Sequence, residues 1–178
     1  MIIEMTEFKD LFVSKLDKKK DERGYFARFY CFEEYLKLGL INNISQANIA
    51  SNNKANTFRG MHYQIFPHQE TKIITCMQGS LIDFVIDLRK DESTYKKSFQ
   101  IKLDSRDRKA LIIPKGFAHG YLTLEDKTEV FYLVDEPFNP SFERGIRWND
   151  SYFDLDLPQR PEVISEKDSS WDNFKEES

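Results

Sequence analysis

Residues 57–72 read T-F-R-G-M-H-Y-Q-I-F-P-H-Q-E-T-K, and the rest of the chain is organised around them. Arg59, His62, Gln64 and Lys72 stand here beside Gly60 and between segments of β type. On a strand side chains alternate, so His62 is expected to share a face with Phe58 and Gln64 while Arg59 points away. Gly60 marks the place where a bulge would re-aim one of them. His68, in a loop with Pro67, reads as solvated surface.

Outward from this stretch the pattern is one short strand after another. Downstream come residues 73–77, the turn Gln78-Gly79-Ser80, and 81–88, apolar except at Asp83 and Asp87. A charged loop, 90–97, leads to the alternation of Phe99, Ile101 and Leu103, and a polar turn precedes 110–113, a strand stopped by Pro114. Residues 121–124 and 130–134 flank a turn at 125–127. Upstream, 44–50 reads as a strand. Phe32, Tyr35 and Leu36 fall at helical spacing in a short helix from Phe32 to Leu40 that ends near Gly39. Residues 25–30 read as an aromatic strand, 16–24 as a charged loop, and 7–12 as a short strand or a turn of helix. Beyond Asp150 the chain turns polar and acidic, with a loop over 151–158 and a helical turn within 165–174. Short connections of this kind suit an antiparallel sandwich or barrel, because parallel strands need long crossovers.

Composition narrows the class. The 178 residues suit one domain with a sizeable core, and 40% hydrophobic with 31% charged residues excludes a disordered chain. Aromatic residues reach 14%, with 15 Phe and 8 Tyr, enough for a pocket or a subunit interface as well as a core. A net charge of −4 argues against a nucleic-acid partner. Cys31 and Cys76 lack metal-type spacing and read as free thiols of a reducing compartment. With no apolar run of membrane length and no leader, no membrane partner and a cytoplasmic location are expected.

Two histidines stand in comparable settings, His62 and His119, the latter in I-P-K-G-F-A-H-G-Y-L at 113–122. The spacing P-x-G-x-x-H is that of the second cupin motif. Where metal-binding cupins carry His-x-His, this chain reads His62-Tyr63-Gln64, and Glu70 lies in a loop beside Lys72. Two histidines without a third ligand make a poor metal site, so neither metal nor cofactor is expected. What remains is proton transfer: Arg59, His62, Lys72, His119 and Tyr132, the last within an apolar strand, include a base, cations and a phenol acid.

D-E-R-G-Y-F (21–26), F-R-G-M-H-Y-Q (58–64), D-L-R-K-D (87–91), I-P-K-G-F-A-H-G (113–120) and E-R-G-I-R-W-N-D (143–150) occur in this order. Together they resemble the dTDP-4-dehydrorhamnose 3,5-epimerase family over residues 20–168. The resemblance implies an all-β, cupin-type jelly-roll β-barrel with a few short helices. It implies a single domain, 1–178, with a core about 20–150 and a C-terminal segment, 151–178, closing the site. His62 matches the catalytic base and Asp168, in S-x-K-D, its carboxylate partner. Tyr132 matches the acid on the opposite face, and Lys72 the cation at the substrate's carbonyl oxygen. Arg23 and Phe26 match nucleotide-diphosphate contacts and Gln46 and Asn48 positions near the nucleotide. Arg59, His119, Phe138, Glu143 and Lys167 are assigned to substrate binding. The implied substrate is a dTDP-4-keto-6-deoxyhexose, and the implied assembly a homodimer.

Two positions depart from the family pattern. Phe138 stands where the family usually has a tyrosine, and Arg28 where it tends to have glutamate. The first leaves a C3-only epimerase open beside the double one. A 3,4-ketoisomerase and a non-catalytic nucleotide-sugar binder are the other readings.

Overall fold

The structure, a computed structural model, describes residues 1–39, 43–153 and 155–175. Its strands form two stacked sheets. The first runs β1(Ile2–Met5), β2(Phe12–Lys15), β10(Ala110–Ile113), β7(Lys72–Gln78), β12(Thr128–Val134), β5(Gln46–Asn52). The second runs β13(Glu143–Gly145), β6(Thr57–Gln64), β11(Phe117–Thr123), β8(Ser80–Asp87), β9(Ser98–Asp104), and β14(Val163–Ile164) adds in parallel to β6. A hairpin, β3(Lys19–Asp21) and β4(Gly24–Phe26), stands apart from both. The helices, α1(Phe32–Leu36) and α2(Glu166–Ser169), are short. This is the expected all-β jelly roll. Among the described residues no helix is long and apolar enough to cross a membrane.

Period-2 alternation explains the layers. Inward residues of both sheets, among them Ile74, Val85, Leu111, Phe117 and Val130, make the central apolar cluster. The outer face of the first sheet, through Ile73, Ile112 and Leu133, is covered by Tyr35 of α1 and by Phe29 and Tyr30. The outer face of the second sheet, through Phe58, Met61, Phe84, Ile86 and Leu122, is covered by Phe153, Leu155, Leu157 and Phe174 of the C-terminal segment.

Several local expectations change. The aromatic run 25–30 is strand only as far as Phe26; beyond it Phe29 stacks on Phe131 at 5.9 Å and Tyr30 on Tyr35 at 5.1 Å. These rings cover a sheet instead of pairing with one. The helix expected over 32–40 ends at Leu36, and Leu40 lies outside the described residues. The strand expected at 121–124 begins at Phe117, so His119 lies inside it. Of the strand or helical turn left open over 7–12, residues 7–10 form a turn and β2 begins only at Phe12, and β1 and β14 had no clear signal.

The second sheet contains the bulge that Gly60 suggested. His119 faces His62 and Tyr121 faces Arg59, so β6 uses one residue more than β11 over this interval. Arg59 and His62 therefore share the inward face, while Phe58 joins the outer cluster with Met61. That reverses the simple alternation for both Phe58 and Arg59. The bulge needs two glycines: Gly60 has φ +134°, and a Cβ there would lie 2.5 Å from the Cα of Gly120. Gly24 has a comparable φ of +126° but open space around it, so it isolates the clash from the backbone preference. Gly60→Ala should cost more stability than Gly24→Ala by about 1–3 kcal/mol in urea denaturation, as overpacking against backbone does. Equal losses would mean that the two strands do not approach this closely.

Candidate active site

Four strands deliver the site. Thr57, Arg59, His62 and Gln64 point inward from β6, and His119 from β11 beside it. Across the barrel Lys72 on β7 and Tyr132 on β12 face them. A cavity of about 470 Å³ lies between, and a second of about 430 Å³ adjoins it. His62, Lys72 and Tyr132 line both. A ligand passing from one to the other meets an imidazole on one sheet and a phenol on the opposite sheet.

His62 Nε2 lies 2.7 Å from Asp168 Oδ1. The Gly60 N–H donates to Asp168 Oδ2 at 3.1 Å, and the Asp168 N–H donates to Ser165 Oγ, the N-cap of α2, at 3.0 Å. Burial pushes the Asp168 carboxyl up. The hydrogen bond and charge of His62, with the Gly60 and Ser165 contacts, outweigh this and hold it below its ordinary value. Asp168 is thus the anionic partner of the imidazole. With Nε2–H directed at Asp168, Nδ1 is left as the basic nitrogen.

His119, opposite His62 in the β6–β11 register, repeats the arrangement. Its Nε2 lies 2.9 Å from Oδ2 of Asp83, which is fully buried. Burial pushes Asp83 up, against the opposing pull of His119 and Lys72. Sequence reading gave Asp83 no role, although a carboxylate at an inward position of an apolar strand is the signal that marks it. Asp87, two residues on, is structural: its carboxylate accepts from Arg89 Nε at 2.8 Å and from Thr94 Oγ1 at 2.6 Å.

Lys72 Nζ pairs with Glu70 Oε1 at 2.9 Å and donates to the His62 carbonyl at 3.4 Å. Gln64 holds that carboxylate in place. Its Nε2 donates to Glu70 Oε2 at 2.7 Å and to the His68 carbonyl at 3.0 Å, while its Oε1 accepts from Asn139 N at 2.6 Å. His68 is not the solvated residue its loop suggested. Its Nδ1 meets Glu136 Oε1 at 2.7 Å and its ring lies 4.5 Å from that of Phe142. Tyr132 has no hydrogen-bond partner for its hydroxyl among the described residues. Burial, then Glu70, pushes its phenol up against a smaller pull from Arg59, so it remains a proton donor at neutral pH. Arg59 Nε is fixed by Asn52 Oδ1 at 2.8 Å.

The remaining expected residues divide. Gln46, Asn48, Phe138 and Glu143 line the second cavity, with Gln46 Oε1 accepting from Phe138 N at 3.0 Å. Lys167 lines neither cavity; it is bound to Glu143 at 2.5 Å and is largely exposed. Arg23 and Phe26 line neither cavity. Both lie on the β3–β4 hairpin, Arg23 paired with Asp21 at 2.6 Å and Phe26 beside an apolar groove with Phe29 and Phe131. Among the described residues no group of three His, Cys, Asp or Glu side chains is arranged to hold a metal ion.

A cupin-like barrel with a His–Asp pair on one sheet and a phenol and a cation on the other has the groups of an acid–base isomerase. The comparisons agree with that class. The sequence profile of dTDP-4-dehydrorhamnose 3,5-epimerase matches residues 5–176. The Salmonella typhimurium protein of that name is 33% identical over 175 residues, 96% of this chain and 93% of its own. The Shigella flexneri one is 31% identical over 172 residues, 95% and 93% of the two chains. The crystal structure of the Bacillus anthracis dTDP-4-dehydrorhamnose 3,5-epimerase, with TDP and PPi bound, superposes with a TM-score of 0.92 at 34% identity, covering 97% of this chain and 99% of that one. The chain belongs to the dTDP-4-dehydrorhamnose 3,5-epimerase family.

Asp168 makes a pH prediction with a definite sign. A carboxyl held low when folded contributes stability that is complete above its unfolded pKa, about 3.9, and lost as pH falls through the lower folded value. Asp168→Asn should cost about 1.5–3 kcal/mol near neutrality, the range for hydrogen bonds to charged groups. The difference from wild type should close on acidification below about pH 4. Urea midpoints measured across this range check it; a difference independent of pH would mean that the carboxylate's charge contributes nothing to the fold.

Proposed function

We propose that this protein inverts C3 and C5 of a dTDP-4-keto-6-deoxyhexose, without a cofactor, in deoxysugar biosynthesis. The observation that carries the reading is the placement of His62 and Tyr132 on facing sheets of one cavity, with Lys72 beside them. The C4 ketone makes the adjacent C–H bonds acidic. His62 Nδ1 takes the proton, and Asp168 stabilises the imidazolium that forms. Charge moves to the C4 oxygen. The Lys72 ammonium has three donors, of which Glu70 and the His62 carbonyl engage two, leaving one for that oxygen. Tyr132 then protonates the carbon from the other side, which inverts the centre. His119, oriented by Asp83, and Arg59 bind the sugar end, and Gln46, Asn48, Phe138 and Glu143, the last holding Lys167, line the way to the nucleotide. The Legionella pneumophila relative, 26% identical with a TM-score of 0.89, was crystallised with dTDP-4-keto-L-rhamnose, which supports this substrate class.

The chain acts as one domain, 1–178, whose segment from Ser151 onward closes the site. A homodimer follows from the hairpin. Arg23 is 84% exposed and away from its own cavities, so as a diphosphate contact it serves the site of a second copy. Two free thiols, Cys31 and Cys76, accord with a cytoplasmic location.

In D₂O the keto-sugar should gain deuterium at both C3 and C5. Uptake at C3 alone would refute double inversion, and none at either carbon would refute the reaction. His62→Ala should lower exchange by about 10²–10⁴-fold, the usual worth of a positioned base. Tyr132→Phe should keep deuterium wash-in with retained configuration while losing inverted product. Mixing inactive Arg23→Ala and His62→Ala proteins should restore activity through mixed dimers; no recovery would remove the shared site.

A further inference from the structure

The family motifs and the reaction leave Trp171 without a role, and its surroundings are unusual. The indole lies on Gly145, where a Cβ would fall 2.1–2.3 Å from its Cε2, Cδ2 and Nε1 atoms. Gly145 is the register partner of His62 across β13 and β6. The indole also stands edge-on to the imidazole of His62, with ring centroids 6.4 Å apart and planes at 69°. Lys167 Nζ lies 5.6 Å from the indole while bound to Glu143, which is also on β13. Asp168 thus sits between two fastenings, Lys167 on Glu143 and Trp171 on Gly145.

We propose that Trp171 is a positioning residue for the reaction: seated on the bare Cα of Gly145, it fixes α2 so that Asp168 meets His62, and covers the outer side of that pair. The need is physical. A helix of four residues has too few internal hydrogen bonds to hold its own place. The carboxylate it carries must nevertheless stay within hydrogen-bond reach of an imidazole whose side chain is 32% exposed. Trp171 Nε1 is buried without a partner among the described residues, so shape and apolar contact, not a hydrogen bond, hold the ring.

The proposal rests on reading His62 as the base, and the test separates the two. Trp171→Ala should lower kcat by about 10²-fold, as a misplacement of about 1 Å does, with KM changed by less than about two-fold. Trp171→Phe should recover most of the loss, because no hydrogen bond is removed. Gly145→Ala should reproduce the defect in the wild type and add little in the Trp171→Ala background, since the methyl then meets no ring. An unchanged kcat in Trp171→Ala, whatever its Tm, overturns the proposal, as does a defect that Phe does not relieve. A second readout needs no turnover. In a Trp148→Phe protein the remaining indole, seated on Gly145, should emit to the blue of a solvated indole, and Gly145→Ala should shift that emission to the red by displacing the ring. Emission left unchanged by Gly145→Ala would show that the indole is not seated on that residue and would overturn the proposal. Absence of deuterium exchange in the wild type would count against the reaction and leave this second readout standing.

Discussion

Asp168 and His62 are 106 residues apart in sequence and joined by one short hydrogen bond. The same carboxylate accepts the N–H of Gly60, at the bulge that brings Arg59 to the side of His62. A bulge leaves backbone groups outside the regular ladder, and a buried N–H without a partner is costly. The C-terminal segment supplies that partner. One side chain therefore stabilises the irregular backbone and fixes the ring orientation of His62. Because Asp168 is reached only through the tail, the outer apolar cluster of the second sheet serves the chemistry as well as the fold. Phe153 and Phe174, 5.0 Å apart between centroids, hold the tail where α2 can begin.

The inward polar groups are arranged in pairs rather than as loose charges, although Oδ1 of Asp83 is buried without a partner among the described residues. His62 with Asp168, His119 with Asp83, Lys72 with Glu70 and Arg59 with Asn52 each place a side chain in a fixed direction. Buried charges are tolerated only on such terms. Tyr132 stands outside these pairs, with a hydroxyl that has no partner among the described residues and a phenol held protonated chiefly by burial. A group that must give up its proton within a catalytic cycle is best left without a competing acceptor. In the proposed reaction such pairs are preorganised for a charge that develops at one oxygen, where electrostatic stabilisation is strongest.

The fold was largely legible, since alternation, short connections and turn residues all point to antiparallel sheets. Strand edges moved by a few residues because ladder pairing, not propensity, sets where they stop. The site was legible through motifs for His62, His119, Lys72 and Tyr132. It was not legible where a single residue changes the parity of a strand: alternation sends Arg59 away from His62, and only the extra residue opposite Gly120 brings it back. Asp83 was passed over because its partner lies on another strand. His68 was misread because its partners, Glu136 and Phe142, come from a distant loop. Proximity across sheets is a property of register, which a local reading of the chain does not contain.

The same logic explains why the two ends of the site differ in construction. The proposed sugar end uses His62, His119 and Tyr132, which lie within strands paired on both sides, where hydrogen bonds limit movement. The proposed nucleotide end draws on the β5 edge and the loop carrying Phe138, with, in the proposed dimer, a hairpin that lines neither cavity of its own chain. Proton transfer depends on placement to fractions of an ångström. Binding a nucleotide demands only that enough contacts converge. An enzyme that must invert carbon centres while admitting and releasing a large ligand gains by keeping the first requirement on rigid strands and leaving the second to edges and loops.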